Sequence, residues 1–268
     1  MRRMLWMCVA LVCASVQAQS VDPQALVREV VKNEVQAQMH PQPRWSYTLE
    51  KTNASGTKVT RIVETRDGLV GRLLEINGKP LDEVTERNEE HRLNELRRDP
   101  SQLRQKLVRQ ERDRDRVLKI VRALPDALLY SDVSTEQGGK VRVLSFRPNP
   151  QYQPNSFETT ILKAMSGTVR IAVGPKRLIS LNGRLLSDVN IGLGIVGKVQ
   201  KDGTLDLEET DLGDGIWEIS RVSLMVMARA VFKRLDLSVE ENLRDFKRLP
   251  HELSGTEAID LLLRNPQM

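Results

Sequence analysis

The chain has 268 residues, 41 of them Lys or Arg and 36 Asp or Glu, for a formal net charge of +5. That surplus is too small for a nucleic-acid footprint, and the length suits one large domain or two small ones. Aromatic residues make up only 4% of the chain, so a core must be mainly aliphatic.

Residues 1–18 read as a secretory signal peptide. Arg2 and Arg3 precede an uncharged apolar run from Met4 to Val16, and Val16-Gln17-Ala18 places small residues where a signal peptidase reads, so cleavage is expected after Ala18. The run is too short for a membrane span. Both cysteines, Cys8 and Cys13, lie inside it, behind Met7 and Val12 rather than the small residue a lipidation site requires. The mature chain then carries 39 basic and 36 acidic residues and no cysteine, which excludes disulfides, thiol catalysis and cysteine metal sites. The expected location is periplasmic or secreted.

Asp22-Pro23 has the form of an N-cap and first helical turn. Leu26, Val27, Val30, Val31 and Val35 continue at helical spacing, and His40-Pro41-Gln42-Pro43 ends the helix. Trp45, Tyr47 and Leu49 alternate with polar residues, turns fall at Asn53–Gly56 and Asp67-Gly68, and Leu69–Ile76 ends at Asn77-Gly78. This predicts an antiparallel meander of three strands. Residues 82–122 change character: glutamate and arginine dominate, Leu93, Leu96, Leu103 and Leu107 form a thin apolar stripe, and Asp99-Pro100-Ser101 divides two helices. Between Arg109 and Arg116 no residue is apolar, so this part of the insert is expected to stand in solvent, its charges pairing along the helix.

Strand signals return at Leu128–Ser134 and Lys140–Phe146 around Gln137-Gly138-Gly139, followed by a short helix at 155–165. Beyond Ser166 the pattern is β until about Arg248, with turns expected at Gly174-Pro175-Lys176, Asn182-Gly183, Lys201-Asp202-Gly203 and Asp211–Gly215. Residues 222–237 alternate as one long strand: Val222, Leu224, Val226, Ala228 and Ala230 share one face, Met225, Met227, Arg229 and Val231 the other. Ser254-Gly255-Thr256-Glu257 has capping-box spacing and opens a final helix.

Gly192, Gly194 and Gly197 fall at G-x-G-x-x-G spacing. A dinucleotide site needs a helix directly after the last glycine, but only Lys198-Val199-Gln200 precede the next turn, and Thr204–Glu208 alternates like a strand. The glycines are therefore read as a bend in a sheet. His40, His91 and His251 have no metal-ligand spacing with one another, Glu208, Glu209, Asp211 and Asp214 lack the calcium-loop pattern, and no serine lies in G-x-S-x-G. No catalytic, cofactor-binding or metal-binding residue is assigned, and no cofactor is expected.

The order of elements (signal peptide, N-terminal helix, meander, helical insert, long β-meander) resembles the periplasmic LolA/LolB/RseB-like half-barrel superfamily. The stretches S-G-T-V-R-I-A-V, K-R-L-I-S-L-N-G-R-L and D-V-N-I-G-L-G-I-V-G-K within 166–249 resemble uncharacterised exported bacterial members. The resemblance implies an α+β fold in which a strongly curved antiparallel sheet, an incomplete β-barrel, carries helices on its concave side. It would form one domain over 19–268 with the charged helical insert at 82–122. It further implies a non-enzymatic binding protein that holds a lipid, a lipoprotein acyl chain or another hydrophobic ligand. Leu193, Ile195, Met225, Met227 and Val231 are the candidate groove residues. The expected partners are a hydrophobic ligand or lipidated protein, with no nucleic acid and at most peripheral membrane contact. The alternative is an envelope protein-interaction or stress-sensing module that uses the charged arm against a protein partner.

Overall fold

The computed structural model describes residues 22–39, 42–99, 101–191, 197–230 and 233–265. The predicted signal segment, residues 1–18, lies outside the described residues. Asp22 caps the first helix, α1 (Pro23–Met39), by accepting the Ala25 N–H at 2.9 Å. Three strands follow, β1 (Trp45–Asn53), β2 (Gly56–Thr65) and β3 (Gly68–Ile76), with a two-residue β4 (Lys79–Pro80). The charged insert forms α2 (Glu83–Arg98), capped by Asp82, and α3 (Ser101–Ala127). Then come β5 (Leu128–Glu136), β6 (Val141–Pro148), the short α4 (Phe157–Thr160), β7 (Met165–Ala172), β8 (Arg177–Leu185), β9 (Val189–Ile191), β10 (Gly197–Val199), β11 (Thr204–Asp211), β12 (Trp217–Ala230), β13 (Lys233–Arg248) and α5 (Gly255–Arg264).

All strand pairs are antiparallel, and the sheet is open, in the order β4-β3-β2-β1-β13-β12-β11-β8-β7-β6-β5, with β9 and β10 branching from β12. The first and last long strands, β1 and β13, pair at its centre. Gly197 begins a strand, β10, that pairs antiparallel with β9, and no helix follows it before β11. Gly192 and Gly194 lie outside the described residues.

Register decides which residues share a face. Tyr47 lies opposite Ile62, Leu49 opposite Leu243, Leu207 opposite Val222 and Leu181, Val169 opposite Leu181 and Leu144. These apolar positions form one face that crosses the whole sheet. Val63 and Val70, opposite each other, point the other way. The helices divide accordingly. Leu26, Val27, Val30 and Val31 of α1 and Ala127 at the end of α3 pack with Leu144, Phe146, Val169 and Ile171 on the first face. Leu93 and Leu96 of α2, Leu103 of α3 and Ile259 and Leu262 of α5 pack with Val63 and Val70 on the second. The sequence reading gathered all helices on one side; α2 and α5 take the opposite side because β2 carries apolar residues on both faces. The solvent-facing expectation for the insert holds, since residues 108–117 are exposed throughout. Among the described residues no helix is long and apolar enough to cross a membrane.

Two local readings change. Residues 222–237 are not one strand: Ala230 pairs with Lys233, so β12 and β13 form a hairpin. No Gly, Pro, Asn or Asp marks the turn, and the alternation continues unbroken through it. Asn182-Gly183 is not a turn but the middle of β8, with Gly183 opposite Gly167. A Cβ on Gly167 would stand 1.8 Å from the Asn182 carbonyl oxygen and 2.9 Å from the Phe146 ring, so this glycine serves close approach of neighbouring strands.

The capping box at α5 is formed: Ser254 Oγ accepts the Glu257 N–H at 3.3 Å, and Glu257 Oε2 accepts the Ser254 N–H at 2.7 Å. Ser254→Ala should cost about 1 kcal/mol, seen as a lower urea midpoint at unchanged slope; an unchanged midpoint would mean α5 is held by its apolar face alone.

Candidate ligand site

A cavity of about 250 Å³ lies on the face that carries α1. Six neighbouring strands and one helix contribute to it. Glu34 falls one turn beyond Val30 on the buried side of α1, where it meets Arg177 at the start of β8. Arg177 Nη2 donates to Glu34 Oε2 at 2.9 Å, Arg177 Nε lies 2.9 Å from Oε1, and the Leu178 N–H donates to Oε1 at 3.4 Å. From β2, Glu64 accepts the Trp45 N–H at 3.1 Å. Tyr47 of β1 and Phe246 of β13 supply an aromatic side: their ring centroids are 5.4 Å apart, and the Trp45 ring stands edge-on to Phe246 at 6.2 Å.

Glu209 of β11 continues the inward alternation of Leu205 and Leu207. Glu208 pairs with Arg221 but Glu209 with Ile219, so Ser220 is an extra residue, a β-bulge. The bulge and the tight turn before it, where Gly213, Asp214 and Gly215 have φ of 90°, 55° and 76°, bring Trp217, Glu218 and Ile219 to the cavity wall together.

Four carboxylates thus face one guanidinium. Burial pushes the Glu209 carboxyl up to about 8, reinforced by the charge of Glu34 and opposed by Arg177. Burial, then the charge of Glu64, pushes Glu218 up to about 7. Burial also raises Glu34 and Glu64, and raises the Tyr47 phenol further above its ordinary value with help from Glu64, Glu218 and Glu241. Glu209 Oε2 is buried without a hydrogen-bond partner. Among the described residues Glu64, Glu209 and Glu218 have no ion-pair partner, and no three His, Cys, Asp or Glu side chains are placed to hold a metal ion.

The cavity continues along the strands into an apolar strip. Leu205 and Leu207 of β11, Val222 and Leu224 of β12 and Val239 of β13 share the face that carries the cavity and are only half-buried, and Leu237 is 39% exposed. The helices pack against β2, β3, β5 and β8; β11, β12 and β13 have no comparable helix cover among the described residues.

Of the groove candidates read from the sequence, two lie among the described residues. Met225 and Met227 lie on the opposite face of β12 from Val222, Leu224 and Val226, and are 57% and 37% exposed. Leu193, Ile195 and Val231 lie outside the described residues. The carboxylate cavity was not read from the sequence at all. One signal for it exists: Glu34, Glu64 and Glu209 each occupy a position that continues an apolar periodicity, after Val30, Ile62 and Leu207.

No protein-family model, curated protein or solved structure matches the chain.

Proposed function

We propose that this is a non-enzymatic binding protein, exported to the periplasm, whose sheet curls into an incomplete β-barrel and holds a hydrophobic ligand on its inner face. The observation that carries this reading is the half-buried apolar strip of Leu205, Leu207, Val222, Leu224 and Val239, which the helices leave uncovered. A monomeric soluble protein gains by covering such a continuous strip, at roughly 25 cal/mol per Å² of apolar surface removed from water. The strip lies between two packed regions, the α1 core at one end and the aromatic group of Trp45, Tyr47 and Phe246 at the other. An elongated apolar chain fits that shape better than a flat partner surface does.

Curvature is supported by the cavity itself. Its walls include Glu64 of β2 and Arg177 of β8, which are five strand spacings apart in the order of the sheet. In a flat sheet that separation would be roughly 24 Å, too wide for one cavity of about 250 Å³. The resemblance to the half-barrel superfamily points to the same shape.

A fluorescent acyl probe should bind the delipidated protein. Leu224→Glu, which puts a charge on the strip, should weaken binding more than tenfold, while Met225→Glu on the other face of the same strand should leave it unchanged. No probe binding, or equal effects of the two substitutions, would reject the reading.

A further inference from the structure

We propose that the carboxylate cavity is a site for an organic ammonium group, and that the ligand is a cationic amphiphile whose head occupies the cavity while its apolar tail follows the strip along β11 and β12. The inference about the tail rests on the function proposed above; the inference about the head rests on the cavity alone.

The chemistry of the walls selects the head. One side is acidic: Glu64, Glu209 and Glu218 face the cavity without ion-pair partners among the described residues, and only Glu34 is matched by Arg177. The other side is aromatic and apolar, with Tyr47, Trp217, Phe246 and Leu243. Carboxylates beside aromatic faces are the recognition chemistry of alkylated ammonium ions, which are attracted by both and need few hydrogen-bond acceptors. An anion would meet three uncompensated carboxylates. A bare metal ion would need convergent ligands, and among the described residues no such group exists.

One unsatisfied polar group points to a missing occupant. Glu209 Oε2 is buried with no hydrogen-bond partner. Tyr47, 7% exposed, lines the same cavity. Polar atoms withdrawn from water are nearly always paired in folded proteins, and a cation held between the Tyr47 ring and Glu209 would balance the carboxylate charge where no hydrogen bond does.

Size sets the division between head and tail. About 250 Å³ is below the roughly 300–1,000 Å³ that encloses a whole drug-sized ligand, so the cavity takes a head and not an acyl chain. The apolar strip begins next to it. From Glu209 through Leu207 to Leu205 the strand advances roughly 13 Å, with Val222 and Leu224 opposite on β12.

Titration supports the assignment. The titratable groups that face Glu209 and Glu218 are Glu34 of α1, Tyr47 of β1, Glu64 of β2 and Arg177 of β8. All but Arg177 are acids, so protons and an organic cation compete for the same charge. Binding of the cation should therefore release protons and should strengthen as pH rises from 6 to 9.

The test compares three probes by calorimetry: decyltrimethylammonium, the neutral decyl maltoside, and tetramethylammonium, each below its micellar concentration. They are applied to the full mature chain and to a Glu209→Gln/Glu218→Gln variant. That variant removes only charge and should fold, which a thermal melt verifies. The expected result at pH 8.5 is that the cationic amphiphile binds at least tenfold tighter than the neutral one, that the variant abolishes this difference while still binding the neutral amphiphile, and that protons are released on cation binding. Equal affinities for the two amphiphiles would overturn the head-group assignment and leave the apolar strip standing. Binding of tetramethylammonium but of neither amphiphile would keep the cation site and reject the hydrophobic-ligand reading. No binding of any probe would overturn both.

Discussion

Glu209→Gln should make the protein more stable at pH 8.5 than the unsubstituted chain, by on the order of 3 kcal/mol. In the unfolded chain Glu209 titrates near the ordinary value of 4.5; in the folded protein burial and the charge of Glu34 push it up to about 8. Between those two values the folded state holds a proton that the unfolded state has released, so stability falls as pH rises. The contribution is fully present below about 4.5 and is lost by about 8. Each pKa unit corresponds to about 1.4 kcal/mol, and the coupling of Glu209 to Glu34 and its residual contact with solvent reduce the full shift to the value given. Glutamine keeps the shape of the side chain and removes the charge. Urea unfolding at pH 5, 7 and 8.5 should show a steep decline for the unsubstituted protein and a flatter one for the variant. Adding Glu218→Gln should flatten it further, because burial and Glu64 push Glu218 up to about 7. Parallel pH profiles would mean that the two carboxyls are solvated and that the cavity is not the acidic enclosure described.

Arg177→Ala should destabilise the protein by about 3–5 kcal/mol at neutral pH. Arg177 is 9% exposed, and its guanidinium holds both oxygens of Glu34. Removing it leaves Glu34 buried without its cation and takes from Glu209 the one positive charge that lowers its carboxyl. The loss should be smaller at pH 5, where Glu34 can take up a proton. Combining Arg177→Ala with Glu34→Gln should recover a large part of it, because the uncompensated charge is then gone. A loss that Glu34→Gln fails to reduce would place the role of Arg177 in packing of its alkyl stem.

Much of the path from sequence to fold was visible in local patterns. The capping box at Ser254 and the helix opening at Asp22-Pro23 sit where elementary backbone chemistry puts them. The exposed course of residues 109–116 follows from their having no apolar side chain. The strand that begins at Gly197 follows from the absence of room for a helix before the next turn. The β12–β13 hairpin was hidden because its turn residues resemble strand residues. The role of Gly183 was hidden because Asn-Gly, the strongest turn signal, lies here inside a strand. Which face of β12 continues the cavity wall could not be read, since both faces carry apolar side chains and only the pairing with β11 and β13 separates Leu224 from Met225.

The amino-acid order alone determined the succession of helices and strands, the antiparallel character of the β-region and the solvent-facing charge of the insert, because each depends on neighbours a few residues apart. The tertiary structure alone decided the site. Glu34, Glu64, Arg177, Glu209 and Glu218 come from five elements spread over most of the chain, and their shifted protonation arises only when folding removes water from between them. Charge-to-charge energy depends on distance and on the surrounding medium, and a linear sequence specifies neither.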